Sequence, residues 1–196
     1  GGINWTESIT PPGSAVTGID FINSLTGFTC ALNGQIRKTT NGGGSWINTE
    51  YCINCSFYDI QFTDSITGYI CGTSGRIIKT TNAGLNWFNL SSNVSGSLDA
   101  LYFINNLTGL AAGSPGGNGV ILKTTNGGSN WLTTFSGTVE YYTDIILTSQ
   151  DTGYCVGLNN YILKTTNGGN NWYNQFTLSQ AIFYSVSFIN NQTGYA

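Results

Sequence analysis

Lys79-Thr80-Thr81-Asn82-Ala83-Gly84-Leu85-Asn86-Trp87 is the segment on which the organisation of this chain turns. Upstream the same nine positions read Lys38-Thr39-Thr40-Asn41-Gly42-Gly43-Gly44-Ser45-Trp46. The pattern returns from Lys123 to Trp131 and from Lys164 to Trp172, and Gly1-Gly2-Ile3-Asn4-Trp5 is the tail of a further copy. The tryptophans are thus spaced 41, 41, 44 and 41 residues apart. A second marker keeps the same step: the Thr-Gly pairs ending at Gly27, Gly68, Gly109, Gly153 and Gly194. Two independent markers with one period define a repeat protein. The repeats run approximately 6–46, 47–87, 88–131, 132–172 and, partially, 173–196.

Outward from the motif, the second copy reads as four short strands. Phe57-Tyr58-Asp59-Ile60-Gln61-Phe62 alternates apolar and polar residues, the mark of a half-buried strand. Tyr69-Ile70-Cys71-Gly72 follows a Thr/Ser/Asp turn, and Arg76-Ile77-Ile78-Lys79-Thr80 is rich in β-branched residues. Asn82-Ala83-Gly84 supplies a tight turn before Trp87-Phe88-Asn89-Leu90. No stretch sustains a helical period. Four strands in about 41 residues is the arithmetic of a β-propeller blade. The expected fold is therefore all-β, a propeller of four-stranded antiparallel blades with four full repeats and two partial ones. Both ends fall inside a unit, so the chain reads as part of a longer propeller.

Composition narrows the function. The 196 residues include 8% charged side chains, a net charge of −3 and no histidine. Nucleic-acid binding needs clustered Lys and Arg, so no nucleic-acid partner is expected. His-based triads and His metal sites are excluded, and no cofactor or metal is expected. No apolar run approaches the roughly 20 residues of a membrane span.

The motif Thr-x-Asn-x-Gly-x-(Ser/Asn)-Trp resembles the Asp-box, or BNR repeat, with Asn in place of the usual Asp. Its positions are filled by Asn41, Gly43 and Trp46; Asn82, Gly84 and Trp87; Asn126, Gly128 and Trp131; and Asn167, Gly169 and Trp172. The longer pattern, with Thr-Gly-Tyr and then Gly-x-Ile-x-Lys-Thr-Thr-Asn-Gly-Gly, is similar to the propellers related to photosystem assembly factors, whose repeats also occur in secreted bacterial proteins. That resemblance implies a structural motif: the amide fixes a turn, the glycine permits positive φ and the indole covers the joint. Sialidases also carry Asp-boxes, but their arginine triad is not available from Arg37 and Arg76 alone.

Several residues are candidates for more than architecture. Asp20, Asp59, Asp99 and Asp144 fall near one position of the innermost strand, where they could ring a channel; bonding to neighbouring backbone is the preferred reading. The six basic residues read as a solvated row, with every blade contributing. Cys52 and Cys55 form a Cys-x-x-Cys in a variable loop, read as a local disulfide that implies an oxidising compartment. Cys30 and Cys71 read as buried, with Cys155 facing the other way. The variable connectors lie opposite the box turns and carry the preferred binding residues: Glu50, Tyr51, Glu140, Tyr141 and Tyr142.

The expected function is a non-catalytic extracellular scaffold, adhesion or protein-binding module of a bacterial surface or secreted protein, with protein or glycan at the loop face. Two alternatives stand beside it. One is a structural subunit of a fibre, self-assembling through open blade edges; the other is part of a glycan-processing propeller enzyme.

Overall fold

The computed structural model describes residues 15–50, 52, 54–137, 141–175, 181–190 and 192–196. Among these described residues, eighteen strands form four four-stranded antiparallel sheets and one two-stranded sheet. Blade 1 contains β1 (Val16–Phe21), β2 (Gly27–Ala31), β3 (Gln35–Thr39) and β4 (Ile47–Glu50). Blade 2 contains β5 (Phe57–Phe62), β6 (Gly68–Gly72), β7 (Ile77–Thr80) and β8 (Phe88–Leu90). Blade 3 contains β9 (Leu98–Phe103), β10 (Gly109–Gly113), β11 (Val120–Thr124) and β12 (Leu132–Ser136). Blade 4 contains β13 (Tyr142–Leu147), β14 (Gly153–Gly157), β15 (Ile162–Thr165) and β16 (Tyr173–Gln175). Blade 5 contains β17 (Ser187–Phe188) and β18 (Gly194–Tyr195). Each full sheet is a meander in chain order, and the inner strands β1, β5, β9 and β13 stand side by side. The expected all-β propeller architecture is what the chain adopts. Because the fourth strand follows the box tryptophan, each sheet straddles a boundary between sequence repeats.

The Thr-Gly marker has a steric cause. In each blade the glycine opens the second strand opposite the last inner-strand apolar residue: Gly27 faces Phe21, Gly68 faces Phe62, Gly109 faces Phe103 and Gly153 faces Leu147. A Cβ at Gly109 would stand 2.5 Å from the Phe103 ring, and one at Gly68 would stand 2.8 Å from that of Phe62. The inner-strand side chain lies flat over the glycine, so any larger residue would displace it.

Blades pack through one recurring contact set. The second-strand aromatic of one blade stacks on the inner-strand phenylalanine of the next: Phe28 on Phe62 at 4.2 Å, Tyr69 on Phe103 at 3.7 Å and Tyr154 on Phe188 at 4.5 Å between centroids. Leu110 and Leu147 share the cluster between blades 3 and 4. The box tryptophan then meets the inner-strand ring of its own blade edge-on, as in Phe62–Trp87 and Phe103–Trp131. Stacked and edge-on aromatics add to the large apolar area these side chains bury.

Candidate interaction surfaces

The box turn is the most fully determined element of each blade. In blade 3, Thr124 Oγ1 donates to Asn126 Oδ1 at 3.0 Å and accepts the Gly128 N–H at 2.9 Å. Asn126 Oδ1 also accepts the Asn130 N–H at 2.9 Å. The same bonds recur from Thr39 and Asn41, Thr80 and Asn82, and Thr165 and Asn167. The box glycines Gly43, Gly84, Gly128 and Gly169 all take φ between 76° and 90°, where a side chain would be strained. Trp46, Trp131 and Trp172 are buried beside them, so the box residues are structural.

Three of the inner-strand aspartates join blades. Asp20 Oδ2 accepts the Phe62 N–H at 2.6 Å, Asp59 Oδ2 the Leu101 N–H at 2.9 Å and Asp144 Oδ2 the Val186 N–H at 2.8 Å. Each bond crosses to the next blade, 42 residues on. Gln61 reinforces the second crossing by accepting from Phe103 N and donating to Phe103 O. Burial pushes the Asp59 carboxyl up to about 7, with the charges of Asp144 and Asp20 adding to the rise. Burial alone raises Asp99 to about 6. Among the described residues no group of three or more His, Cys, Asp or Glu side chains could hold a metal ion.

The basic residues correct the expectation of a solvated row. Lys38 Nζ donates to Ala83 O at 2.9 Å, Lys79 Nζ to Gly127 O at 3.0 Å and Lys123 Nζ to Asn170 Oδ1 at 2.9 Å. Each lysine thus reaches the box turn of the following blade, and Lys38 and Lys79 also lie over the Phe28 and Tyr69 rings. Arg37 is buried at 3% exposure, its guanidinium bonded to Asn48 Oδ1 and Gln35 Oε1. Lys38 and Lys79 are anchored because a box carbonyl stands within reach of each stem, and Lys123 because a box amide does.

The preferred binding residues do not form one group. Glu50 closes β4, with its backbone opposite Gln35. Tyr51 and Glu140 lie outside the described residues. Tyr141 is 46% exposed, and a methyl group placed on Gly117 of the preceding blade would stand 3.7 Å from its hydroxyl. Tyr142 is a correction. It is fully buried, begins β13 and meets Phe135 edge-on, so it is a core residue unable to present itself to a ligand. Its counterparts Phe57 and Leu98 are equally buried, and that periodicity was the signal overlooked. Cys52 and Cys55 are disulfide-bonded, with Cα atoms 6.0 Å apart. Cys30 and Cys71 are buried toward the following blade, whereas Cys155 is buried toward the preceding one.

One surface feature escaped the sequence reading. On the loop face, Ser74, Gly75, Arg76, Asn89, Ser91 and Asn93 line a polar groove of about 350 Å³. Arg76 Nε is buried there with no hydrogen-bond partner among the described residues. Gln35, Val120 and Tyr161 hold the equivalent place in the other blades, and only the departure from that pattern marked Arg76.

A family model described as photosynthesis system II assembly factor YCF48 matches residues 3–145, well over half of the sequence. The chain belongs to the YCF48 family. No curated protein matches it significantly. Among solved structures it is similar to YCF48 bound to a D1 peptide, at 15% identity over 98% of this chain and 94% of the other, with a TM-score of 0.57. It is also similar to YCF48 from Cyanidioschyzon merolae, at 18% identity, 91% and 62% coverage and a TM-score of 0.71. An ancestral GH74 enzyme gives 22% identity and a TM-score of 0.71 over 85% of this chain but 25% of its own. The chain therefore spans less than two thirds of the last two proteins. Likenesses at these identities establish the propeller fold. Among the described residues no helix is long and apolar enough to cross a membrane.

Proposed function

We propose that this chain is a non-catalytic, protein-binding propeller module of an extracellular or cell-surface bacterial protein, and that it takes a peptide carboxylate, from a side chain or a chain end, in the Arg76 groove. The observation that carries the reading is the buried, unpartnered Arg76 Nε in a polar groove on the loop face. A guanidinium matches the geometry of a carboxylate, and Ser74, Asn89 and Ser91 surround it with groups suited to peptide backbone. YCF48 bound to a D1 peptide is a precedent for a propeller of this family engaging a peptide. The absence of catalysis is inferred from how the acids are used: three inner-strand aspartates join blades through backbone N–H groups. The Cys52–Cys55 disulfide supports an oxidising location.

The test is a peptide array in which each sequence has both a free and an amidated C terminus, with anisotropy titration of the best binders. Peptides with an accessible carboxylate are expected to bind, and Arg76→Gln to weaken them by about tenfold, the loss of one charge-assisted hydrogen bond. Indifference of every peptide to Arg76→Gln, with unchanged thermal unfolding, would overturn the assignment.

A further inference from the structure

The chain has six basic residues, and the repeat gives four of them an internal place. Arg37 is buried against Asn48 and Gln35. Lys38, Lys79 and Lys164 lie over the second-strand rings of Phe28, Tyr69 and Tyr154, each Nζ between 5.1 and 5.5 Å from the centroid. Arg76 and Lys123 depart from that pattern. Arg76 stands where the other blades have Gln35, Val120 and Tyr161. Lys123 finds Leu110 where the other three lysines have an aromatic ring, and a leucine has no negative ring face to hold an ammonium. It reaches instead to the exposed Asn170, whose Oδ1 accepts from Nζ at 2.9 Å; the other boxes have Gly44, Leu85 and Ser129 at that place.

Both departures line grooves, and the grooves adjoin. Lys123, Thr125, Asn126, Asn130 and Leu132 line a second groove of about 390 Å³, and Asn93 lines both this groove and that of Arg76. The second groove is rich in uncommitted polar groups. Among the described residues the Asn130 side chain, Asn126 Nδ2 and the Thr125 hydroxyl have no hydrogen-bond partner, and all three residues are exposed. Leu132, 71% exposed, adds an apolar contact.

We propose that one extended acidic peptide occupies both grooves, a reading that rests on the assignment of a carboxylate to Arg76 and extends it. One carboxylate meets Arg76, the chain passes Asn93, and a second carboxylate meets Lys123. A ligand crossing from one groove to the other meets a cation, an amide and a second cation, so its complement is anion, neutral segment, anion. The free amides and hydroxyl around Lys123 offer the donors and acceptors that peptide backbone requires. Joining the two contacts in one chain makes the second intramolecular, so affinity rises although neither contact is strong alone.

The probes are dye-labelled, C-terminally amidated Gly/Ser peptides carrying two aspartates separated by about two to eight residues, a span of about 7–28 Å in extended chain. They are titrated into the protein with anisotropy detection, beside their single-aspartate versions. One spacing is expected to bind at least about tenfold tighter than either single-aspartate peptide. Lys123→Gln removes that advantage and leaves single-aspartate binding at Arg76 unchanged. Asn130→Asp, at an exposed side chain without a partner among the described residues, puts a like charge in the second groove and has the same effect with the lysine in place. Unchanged thermal unfolding of both variants separates these effects from loss of fold. The inference is overturned if no spacing improves on a single aspartate, or if the advantage survives both variants, while Arg76→Gln still weakens every peptide; the Arg76 assignment then stands alone. Peptides indifferent to Arg76→Gln overturn that assignment and this inference with it.

Discussion

Asp59, on the inner strand of blade 2, accepts the backbone N–H of Leu101 in blade 3 at 2.9 Å while its other oxygen accepts Ile60 N–H at 2.8 Å. One buried carboxylate therefore fixes its own strand and the next blade together. Its cost is visible in its titration, because burial raises the carboxyl from 3.8 to about 7.

A pH dependence follows from that rise. The folded protein favours protonated Asp59, so the stability linked to this group is fully present below about pH 3.8 and is lost as the pH climbs through about 7. Melting temperature is expected to fall between pH 5 and pH 8. Asp59→Asn flattens the slope without abolishing it, since Asp99, raised to about 6, acts in the same direction. Thermal melts across that range decide it, and a slope unchanged by Asp59→Asn would refute the assignment.

The box amide predicts a graded pair. Asn126→Ala removes the acceptor of Thr124 Oγ1 and the Asn130 N–H and is expected to cost about 1–3 kcal/mol. Asn126→Asp keeps an acceptor for both hydrogen bonds and stays within about 0.5 kcal/mol of the parent. Urea midpoints separate the two.

Ala83 occupies φ 54°, where Gly42, Gly127 and Gly168 stand in the other boxes. A left-handed alanine is strained by about 1–2 kcal/mol, partly offset by the chain entropy that glycine loses on folding. Ala83→Gly is expected to raise stability by about 0.5–1 kcal/mol, read from the same denaturation curves.

Two neighbouring tyrosines are expected to diverge. Tyr142→Ala empties a fully buried site and costs about 3–5 kcal/mol, whereas Tyr141→Ala, at an exposed position, changes stability by less than about 0.5 kcal/mol. Similar losses at both positions would contradict the burial difference.

The repeat made the fold legible, because a periodic sequence declares each strand several times over. The blade 2 strands read from Phe57 and Tyr69 onward begin at Phe57 and Gly68. Interblade chemistry was harder to see. Lys38 looked solvated because its acceptor, Ala83 O, lies 45 residues away and backbone carbonyls leave no trace in composition. Tyr142 was misplaced because it adjoins a variable connector, although Phe57 and Leu98 already showed that its position is interior. Arg76 was hidden by its neighbour Lys79, since a repeat search groups cations that the sheet separates. Asp20, Asp59 and Asp144 were legible as backbone-bonding groups because a buried carboxylate in a neutral environment has few partners besides amide N–H groups.

The bonds that run 42 residues forward also set how the molecule comes apart. Asp20, Asp59 and Asp144 each couple their own module to the adjoining one. Cooperativity therefore propagates between nearest neighbours, as in a linear lattice. A fault in one module is therefore felt first by the modules on either side of it.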